Sequence, residues 1–323
     1  MKKTGSLLFS VVVCTYNRAE LLKTCLDSLI KQSLSKSAFE IIVMDDGSGD
    51  NTNLLLMDYQ KKISKPEIRI FKSLNVGLGK SRNDAIDKAK GQFIAYIDDD
   101  ACADKDWLKN AGKCLREIKP RPEGITGPVY PYYINRKPDW FKNSYEWDLK
   151  SGGSRFLKVK ETFSGPNMIL DKKLIRKYGK FSETISMKGE VLMPGEETIM
   201  FERFWRQNPQ ARLLYYSTQV KVFHLVHRYK MFVTYRLKRW FTSGQSYYSR
   251  NITPSFLKNL LICCKVVGYL FYSLILSVIT LLTYRRIQNW IVERIGPVFF
   301  VAGFFTVYFR LPLKIKIKDR NTA

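Results

Sequence analysis

Between residues 9 and 97, short, mostly apolar runs alternate with longer stretches whose apolar residues recur every three or four positions. The runs are FSVVVC (9–14), FEIIVM (39–44), IRIFKS (68–73) and QFIAYI (92–97); the periodic stretches cover 19–32, 50–62 and GKSRNDAIDKAK (79–90). A continuous β-branched run of this length suits a strand covered on both faces, and the longer period suits an amphipathic helix. The last of these helices is expected to close at Gly91. Strand, helix, strand, helix in this order predicts an α/β fold built on a doubly wound, mostly parallel sheet, Rossmann-like in its layering. Ligands of such sheets bind outside the carboxyl ends of the strands. Three polar segments fall on that edge: TYNR (15–18), DDGSGD (45–50) and DDD (98–100).

Beyond residue 101 the pattern is mixed. A helix is expected near 104–118, followed by a stretch rich in Pro, Tyr and Trp at 128–148, then ETFSGPNMIL (161–170) and an acidic helix start, PGEETIMFERFWRQ (194–207). Ligand-facing loops are expected here, where Trp140, Trp147 and the tyrosines at 130–133 either stack on a ligand or belong to the core.

The C-terminal pattern changes again. Residues 266–284 carry no charge between Lys265 and Arg285, and residues 295–309 none between Arg294 and Arg310. As a helix the first run spans about 28 Å at ~1.5 Å per residue, borderline for a hydrocarbon core of ~30 Å. If both runs crossed, Arg285, Arg286, Glu293 and Arg294 would lie on the far side, against the positive-inside tendency. A hairpin lying in or partly entering the cytoplasmic leaflet is therefore expected. Two crossing helices, or a soluble oligomer interface, are the alternatives. The division expected is a catalytic domain at 1–225, a basic helical linker at 226–255 and an apolar, basic membrane-association region at 256–323.

Charge sharpens this division. The 323 residues carry a formal net charge of +25, and from Arg203 to Val292 there is no Asp or Glu while fourteen Lys and Arg accumulate. Such asymmetry asks for an anionic partner. Next to the apolar runs, an anionic membrane surface is expected, and no nucleic acid. Cysteines 14, 25, 102, 114, 263 and 264 form no C-x-x-C pair or zinc-ligand spacing, so free thiols in a reducing compartment are expected. The N-terminal MKKTGSLLFSVVVC imitates a lipoprotein signal, but Val13 is not the small residue that cleavage wants, and no export signal is assigned. The protein is accordingly expected on the cytoplasmic face of the cell membrane.

VVVCTYNR, IIVMDDGSGD, NVGLGKSRNDAI, FIAYIDDDACADKDWL, GPNMIL and GEETIM, in this order and spacing over residues 9–205, together resemble a family 2 glycosyltransferase with the GT-A nucleotide-diphospho-sugar transferase fold. The resemblance implies an inverting enzyme that moves a sugar from a nucleotide-diphosphate donor to a lipid-linked or polysaccharide acceptor in cell-surface glycan synthesis, with Mg2+ or Mn2+ as cofactor. The residues carry physical reasons of their own. A departing diphosphate develops charge that must be neutralised, and hard divalent ions prefer carboxylate oxygens. Asp98 and Asp100 match the family's D-x-D, which implies that Asp100 binds the metal and Asp98 contacts the ribose or a metal-bound water. Asp99 is placed with the donor site without a defined role. Asp46, with Asp45 as alternative, corresponds to the acid that accepts from the nucleobase, framed by Thr15, Asn17 and Arg18. Arg82 corresponds to a residue near the pyrophosphate, with Gly77 and Gly79 admitting the backbone close to it. Asn167 and Gly165 correspond to the loop beneath donor and acceptor.

An acceptor hydroxyl needs a base. Glu196 and Glu197 begin a helix, where the dipole favours an ionised carboxylate. The family usually shows Glu-Asp here, which maps the base to Glu197, one methylene longer than usual, with Glu196 as alternative. His224 stands where relatives place a histidine that ligates the metal or touches phosphates, with His227 beside it. Arg228, Lys230, Arg236 and Arg239 follow as candidates for phosphate or lipid-surface contact. Two rival functions use parts of the same sequence: a basic membrane- or nucleic-acid-binding scaffold without catalysis, and a nucleotidyltransferase. The intact D-x-D speaks against the first, and the lack of a Gly-rich, Lys-bearing loop after the first strand against the second.

Overall fold

The structure is a computed structural model and describes residues 7–316 apart from Trp147, Glu190 and Ala211. The expectation for Trp147 and the last residues of the 256–323 region lie outside the described residues. The elements of the first half are β1 (Phe9–Thr15), α1 (Ala19–Ile30), β2 (Phe39–Asp45), α2 (Thr52–Lys62), β3 (Glu67–Lys72), α3 (Leu78–Lys88), β4 (Phe93–Asp98), β5 (Ala101–Ala103), α4 (Trp107–Glu117), β6 (Gly124–Thr126) and β7 (Val129–Tyr133). Then follow β8 (Arg155–Phe156), β9 (Met168–Asp171), α5 (Lys172–Tyr178), α6 (Glu196–Gln207), β10 (Leu214–Tyr216) and β11 (Val222–Val226). The helices α7 (Val233–Asn251), α8 (Phe256–Thr280), α9 (Ile287–Trp290) and α10 (Gly296–Tyr308) complete the chain.

These elements form two compact units. The first comprises the chain up to Tyr132, Glu146–Thr184 and Glu196–Leu225; the second comprises Tyr133–Tyr145, Ile185–Gly195 and the chain from Val226 onward. The chain thus divides after Leu225, and two excursions from the α/β region join the helical unit.

In the first unit an eight-stranded sheet runs in the order β3-β2-β1-β4-β9-β6-β10-β8. β3, β2, β1 and β4 are mutually parallel, and β9 is antiparallel to both neighbours. Period-two alternation sorts the buried side chains between two layers. Val11, Val13, Ile41, Val43, Ala95 and Ile97 face α1, α2 and α4, whereas Val12, Ile42, Met44, Ile94 and Tyr96 face α3, α5 and α6. This is why β1, β2 and β4 read as nearly continuous apolar runs: both of their faces are inside, whereas the edge strand β3 is only partly covered. The expected mostly parallel, doubly wound architecture is thus present. A three-stranded sheet, β5-β11-β7, accompanies it.

One boundary differs from expectation. α3 ends at Lys88, because Ala89 is already extended, and Gly91 lies beyond the helix. Its lack of a side chain serves another end: a Cβ at Gly91 would lie 2.5 Å from the Phe9 carbonyl carbon, so the loop can pass close to β1 only as glycine.

In the second unit the stretch expected as a linker carries α7, which packs on α10. Their backbones approach at two glycines. A Cβ on Gly244 would lie 1.9 Å from the Phe300 carbonyl oxygen, and one on Gly303 would lie 1.9 Å from that of Phe241. Gly244→Ala is expected to destabilise this unit by about 1–3 kcal/mol through overpacking, measurable as a lower Tm. An unchanged Tm would show that the crossing is not close-packed. The apolar helix α8 begins at Phe256, ten residues before the uncharged run 266–284, with Lys258 and Lys265 on its exposed surface. By length and composition alone, Phe256–Thr283 and Ile287–Tyr308 are both apolar enough to cross a membrane.

Candidate active site

The carboxyl ends of β1, β2 and β4 lie level: Thr15 pairs with Asp45, and Cys14 with Asp98. The three polar segments foreseen for this edge therefore converge there. The turn after β1 is tied to that after β2, because Asn17, in a left-handed conformation (φ 51°), accepts from the Gly49 backbone N–H at 2.6 Å. Asp50 caps from a distance, its Oδ2 accepting from the first N–H of α1 (Ala19, 3.0 Å) while its Oδ1 accepts from Thr52 of α2. Asp46 is buried and accepts from Ser73 Oγ (2.7 Å) and the N–H groups of Val76 and Gly77 (2.7 and 2.8 Å), shaping the loop that enters α3. Gly77 there has a φ of 98° that side chains disfavour. Asp45 accepts from the Ser48 N–H. Near the same helix start, the buried Ser81 Oγ and Asn75 Oδ1 have no hydrogen-bond partner among the described residues.

The three aspartates take three different environments. Asp99 is buried and turned toward β1, accepting from Thr15 Oγ1 at 2.8 Å and Arg18 Nη1 at 2.7 Å. Thr15 and Arg18, expected around base and phosphate, are thus joined to Asp99. Asp98, with a side chain 27% exposed, accepts from Arg82 Nη2 at 2.8 Å. Asp100 is buried beside Arg18 (3.4 Å) and His224 (Nε2 at 3.2 Å). One ligand atom each from Asp98, Asp100 and His224 lie within 4.8 Å of one another. His224 arrives from 124 residues away through strand pairing. β11 runs antiparallel to β5 with His224 opposite Ala101, and the Leu225 N–H donates to the Asp100 carbonyl at 2.8 Å. Two carboxylates and one imidazole, in reach of one point and partly open to solvent, are a donor set that suits Mn2+ or Mg2+.

Arg82 is the centre of the second cluster. Its guanidinium is 2.8 Å from both Asp98 and Glu196, lies over the Phe181 ring, and is enclosed. Burial alone would lower its basicity, but Asp98 and Glu196 hold it well above the ordinary value. Gly165 passes beside this pair: a Cβ there would meet Arg82 Nη2 at 3.4 Å and Asp98 Oδ2 at 3.7 Å, ordinary contact distances. Glu196 and Glu197 open α6, as expected. Their surroundings differ. Glu196 is buried, and its carboxyl is pushed up to about 8 by burial and then by Glu197, against the pull of Arg82. Glu197 is half-buried and its carboxylate accepts no hydrogen bond from the described residues.

Asn167, expected in the loop beneath donor and acceptor, lies just before β9. It is 0% exposed; its Oδ1 accepts from Trp107 Nε1 at 2.9 Å and its Nδ2 donates to the Val220 carbonyl at 2.8 Å. All its polar capacity is spent locking α4 to the chain before β11. His227 belongs to the helical unit, where it stacks on Tyr229. Glu146 went unnoticed in the sequence. Its Oε2 stands 3.5 Å from His224 Nδ1 with a side chain only 10% exposed. No motif or period flags it, because it sits in an irregular stretch and meets His224 only through the fold.

A mostly parallel α/β sheet with acids on its carboxyl edge is the layout of the GT-A fold. Residues 10–179 match the family described as Glycosyl transferase family 2, and the chain belongs to that family of sugar-transferring enzymes. It is 25% identical over 243 residues, 73% of this chain and 75% of the relative, to the glucosyl-dolichyl phosphate glucuronosyltransferase of Haloferax volcanii. It is 36% identical over 109 residues to the poly(ribitol-phosphate) beta-N-acetylglucosaminyltransferase TarS of Staphylococcus aureus, covering 34% of this chain and 19% of that protein. Among solved structures, the mannosyltransferase PcManGT of Pyrobaculum calidifontis, in complex with GDP-Man and Mn2+, shares the fold with a TM-score of 0.62 at 14% identity, over 95% of this chain and 89% of that one. TarS residues 1–349 share it with a TM-score of 0.53 at 18% identity, over 97% and 77%.

Proposed function

We propose that this glycosyltransferase is an inverting, metal-dependent enzyme that transfers a sugar from a nucleotide diphosphate to a phosphate-bearing lipid-linked or polymeric acceptor at the cytoplasmic face of the membrane. The observation that carries the reading is the convergence of Asp98, Asp100 and His224 beside the Arg82–Glu196 pair. A divalent cation held by those three residues would neutralise charge on the departing diphosphate.

The remaining work falls to side chains. Glu197 removes the proton from the acceptor hydroxyl, whose oxygen forms a bond to the anomeric carbon. The bond from that carbon to the diphosphate oxygen breaks on the opposite face, and its electron pair leaves with the nucleoside diphosphate. A single displacement inverts the configuration. Arg82, fixed by Asp98 and Glu196, presents positive charge toward the diphosphate. Asp46, with the loop it shapes, and Asn17 form the nucleoside side of the site. Thr15, Arg18 and Asp99 hold the β1 turn against the aspartates, and Asn167 acts as a scaffold beneath them. Glu146 is a positioning residue that faces His224 Nδ1 and leaves Nε2 toward the metal site.

A screen of nucleotide sugars for protection against thermal unfolding, with and without Mn2+, tests the reading. One donor is expected to raise Tm only with the metal present, and Glu146→Gln is expected to weaken Mn2+ binding about 10–100-fold. Protection by no nucleotide sugar, under either condition, would defeat the proposal. The homologues named for dolichyl-phosphate and polyol-phosphate acceptors support the acceptor class.

A further inference from the structure

The two apolar helices pass the length test for membrane spans, yet hydrogen bonds within the helical unit bear on where their ends can lie. The turn that joins α8 to α10 is latched to the excursion 133–145. Glu293, in a single π-helical turn (Ile291–Ile295), accepts from Lys142 Nζ at 2.5 Å and Tyr145 OH at 2.8 Å, and its other oxygen accepts from Tyr284 OH at 3.0 Å. Arg286 lies 3.5 Å from Asp139. These bonds hold the Glu293 carboxyl below its ordinary value although burial alone would raise it.

Covalent reach then decides the side. Tyr145 is three residues from Asp148, which pairs with Val129 in the catalytic unit. Three residues span at most about 11 Å, far short of the ~30 Å of a hydrocarbon core. The helix turn is therefore on the catalytic side. The same holds for the far end of α10. The Leu192 N–H donates to the Ile315 carbonyl at 3.1 Å and Val191 pairs with Lys316. Leu192 lies four residues from Glu196 of α6, a reach of at most about 14 Å. Both ends of α10 thus remain on the catalytic side, as does the end of α8. For α8 to cross from its other end, α7 would have to cross before it, carrying Arg236, Lys238, Arg239 and Arg250 through the hydrocarbon.

We propose that α8 lies along the surface of an anionic lipid bilayer, its apolar face submerged, and that the protein enters one leaflet without crossing it. The face is a continuous stripe at helical spacing: Phe256, Leu260, Phe271, Ile275, Val278 and Leu282 are all exposed, from 47% at Leu260 to 96% at Leu282. Its surroundings carry the matching charge. Lys258, Lys265, Arg285 and Arg286 are exposed along and beside the helix, and no acid occurs between Arg203 and Val292. An apolar stripe with basic margins fits anionic headgroups over submerged acyl chains.

Two measurements on the full chain test this, and neither uses sugar transfer, so their failure is distinct from failure of the catalytic assignment. In the first, the protein is sedimented with phosphatidylglycerol-containing or pure phosphatidylcholine vesicles. Binding is expected only to the former, weakening with salt, and Phe271→Asp with Ile275→Asp is expected to reduce it at least about tenfold. In the second, Arg285→Cys on sealed membranes meets a membrane-impermeant thiol reagent, with the parent chain as baseline for its own cysteines. Labelling from the side that carries the catalytic unit is expected. Labelling only from the opposite side would overturn the proposal in favour of crossing helices. Absence of vesicle binding would overturn it too, and a dimer abolished by Phe271→Asp would then identify a second copy of the chain as the cover.

Discussion

Glu197→Gln is expected to lower kcat for sugar transfer by about 10²–10⁴-fold, the usual worth of a general base, with the donor KM nearly unchanged. The amide keeps the size of the side chain and removes only the capacity to take a proton. The neighbouring position provides the contrast. Glu196 is enclosed and ion-paired to Arg82 at 2.8 Å, so its carboxylate is occupied by the guanidinium rather than open to an acceptor hydroxyl. Glu196→Gln is therefore expected to register first as a lower Tm, since it leaves the buried Arg82 with Asp98 alone. Steady-state kinetics and thermal melts on both variants decide between them. A collapse of kcat in Glu196→Gln with a normal rate in Glu197→Gln would reverse the assignment. The longer glutamate at 197 is accommodated by its place in the first turn of α6, half-buried rather than enclosed.

The second large effect is expected at Asp100. Asp100→Asn removes one of the two carboxylates in the donor set and should cut turnover by about 10²–10³-fold, the scale of losing one preorganised stabiliser of transition-state charge. Mn2+ affinity, read by calorimetry without any donor, should fall in parallel. Asp99→Asn makes the control. Asp99 shares the charge run but spends both oxygens on Thr15 and Arg18, so its loss should loosen the β1 turn and lower Tm while leaving Mn2+ affinity largely intact. Equal loss of Mn2+ affinity in the two variants would mean that the three aspartates act as one undifferentiated acidic patch.

These contrasts mark where local sequence stops being informative. That Asp98 and Asp100 lie at a ligand-binding edge was legible, because an unbroken apolar run into carboxylates states both the strand and its exposed end. That Asp99 turns inward was not, since its partners Thr15 and Arg18 stand more than 80 residues earlier and no local period encodes them. Asn167 shows the same limit: the resemblance put it beneath donor and acceptor, but its partners Trp107 and Val220 are far away in sequence and no local pattern names them. Gly91 reads as a helix stop, while its neighbour in space, the backbone of β1, is what forbids a side chain.

By itself, then, the sequence determined the alternation of strands and helices, the parallel core, the acidic edge, the paired glutamates at the start of α6, the acid-free stretch from 203 to 292 and the apolar runs near the C-terminus. Each is a property of adjacent residues, fixed by side-chain period and composition. Only the tertiary structure decided which acids gather with His224 and which turn toward the protein, that His224 reaches Asp100 through β5–β11 pairing, and that Glu146 stands behind it. It also supplied the Glu293 latch and the Leu192–Ile315 link, which tie the ends of the C-terminal helices to the excursions 133–145 and 185–195 within the helical unit. Pairings between residues tens to more than a hundred positions apart depend on which surfaces the folded layers bring together, and no local pattern of hydrophobic and polar positions specifies that.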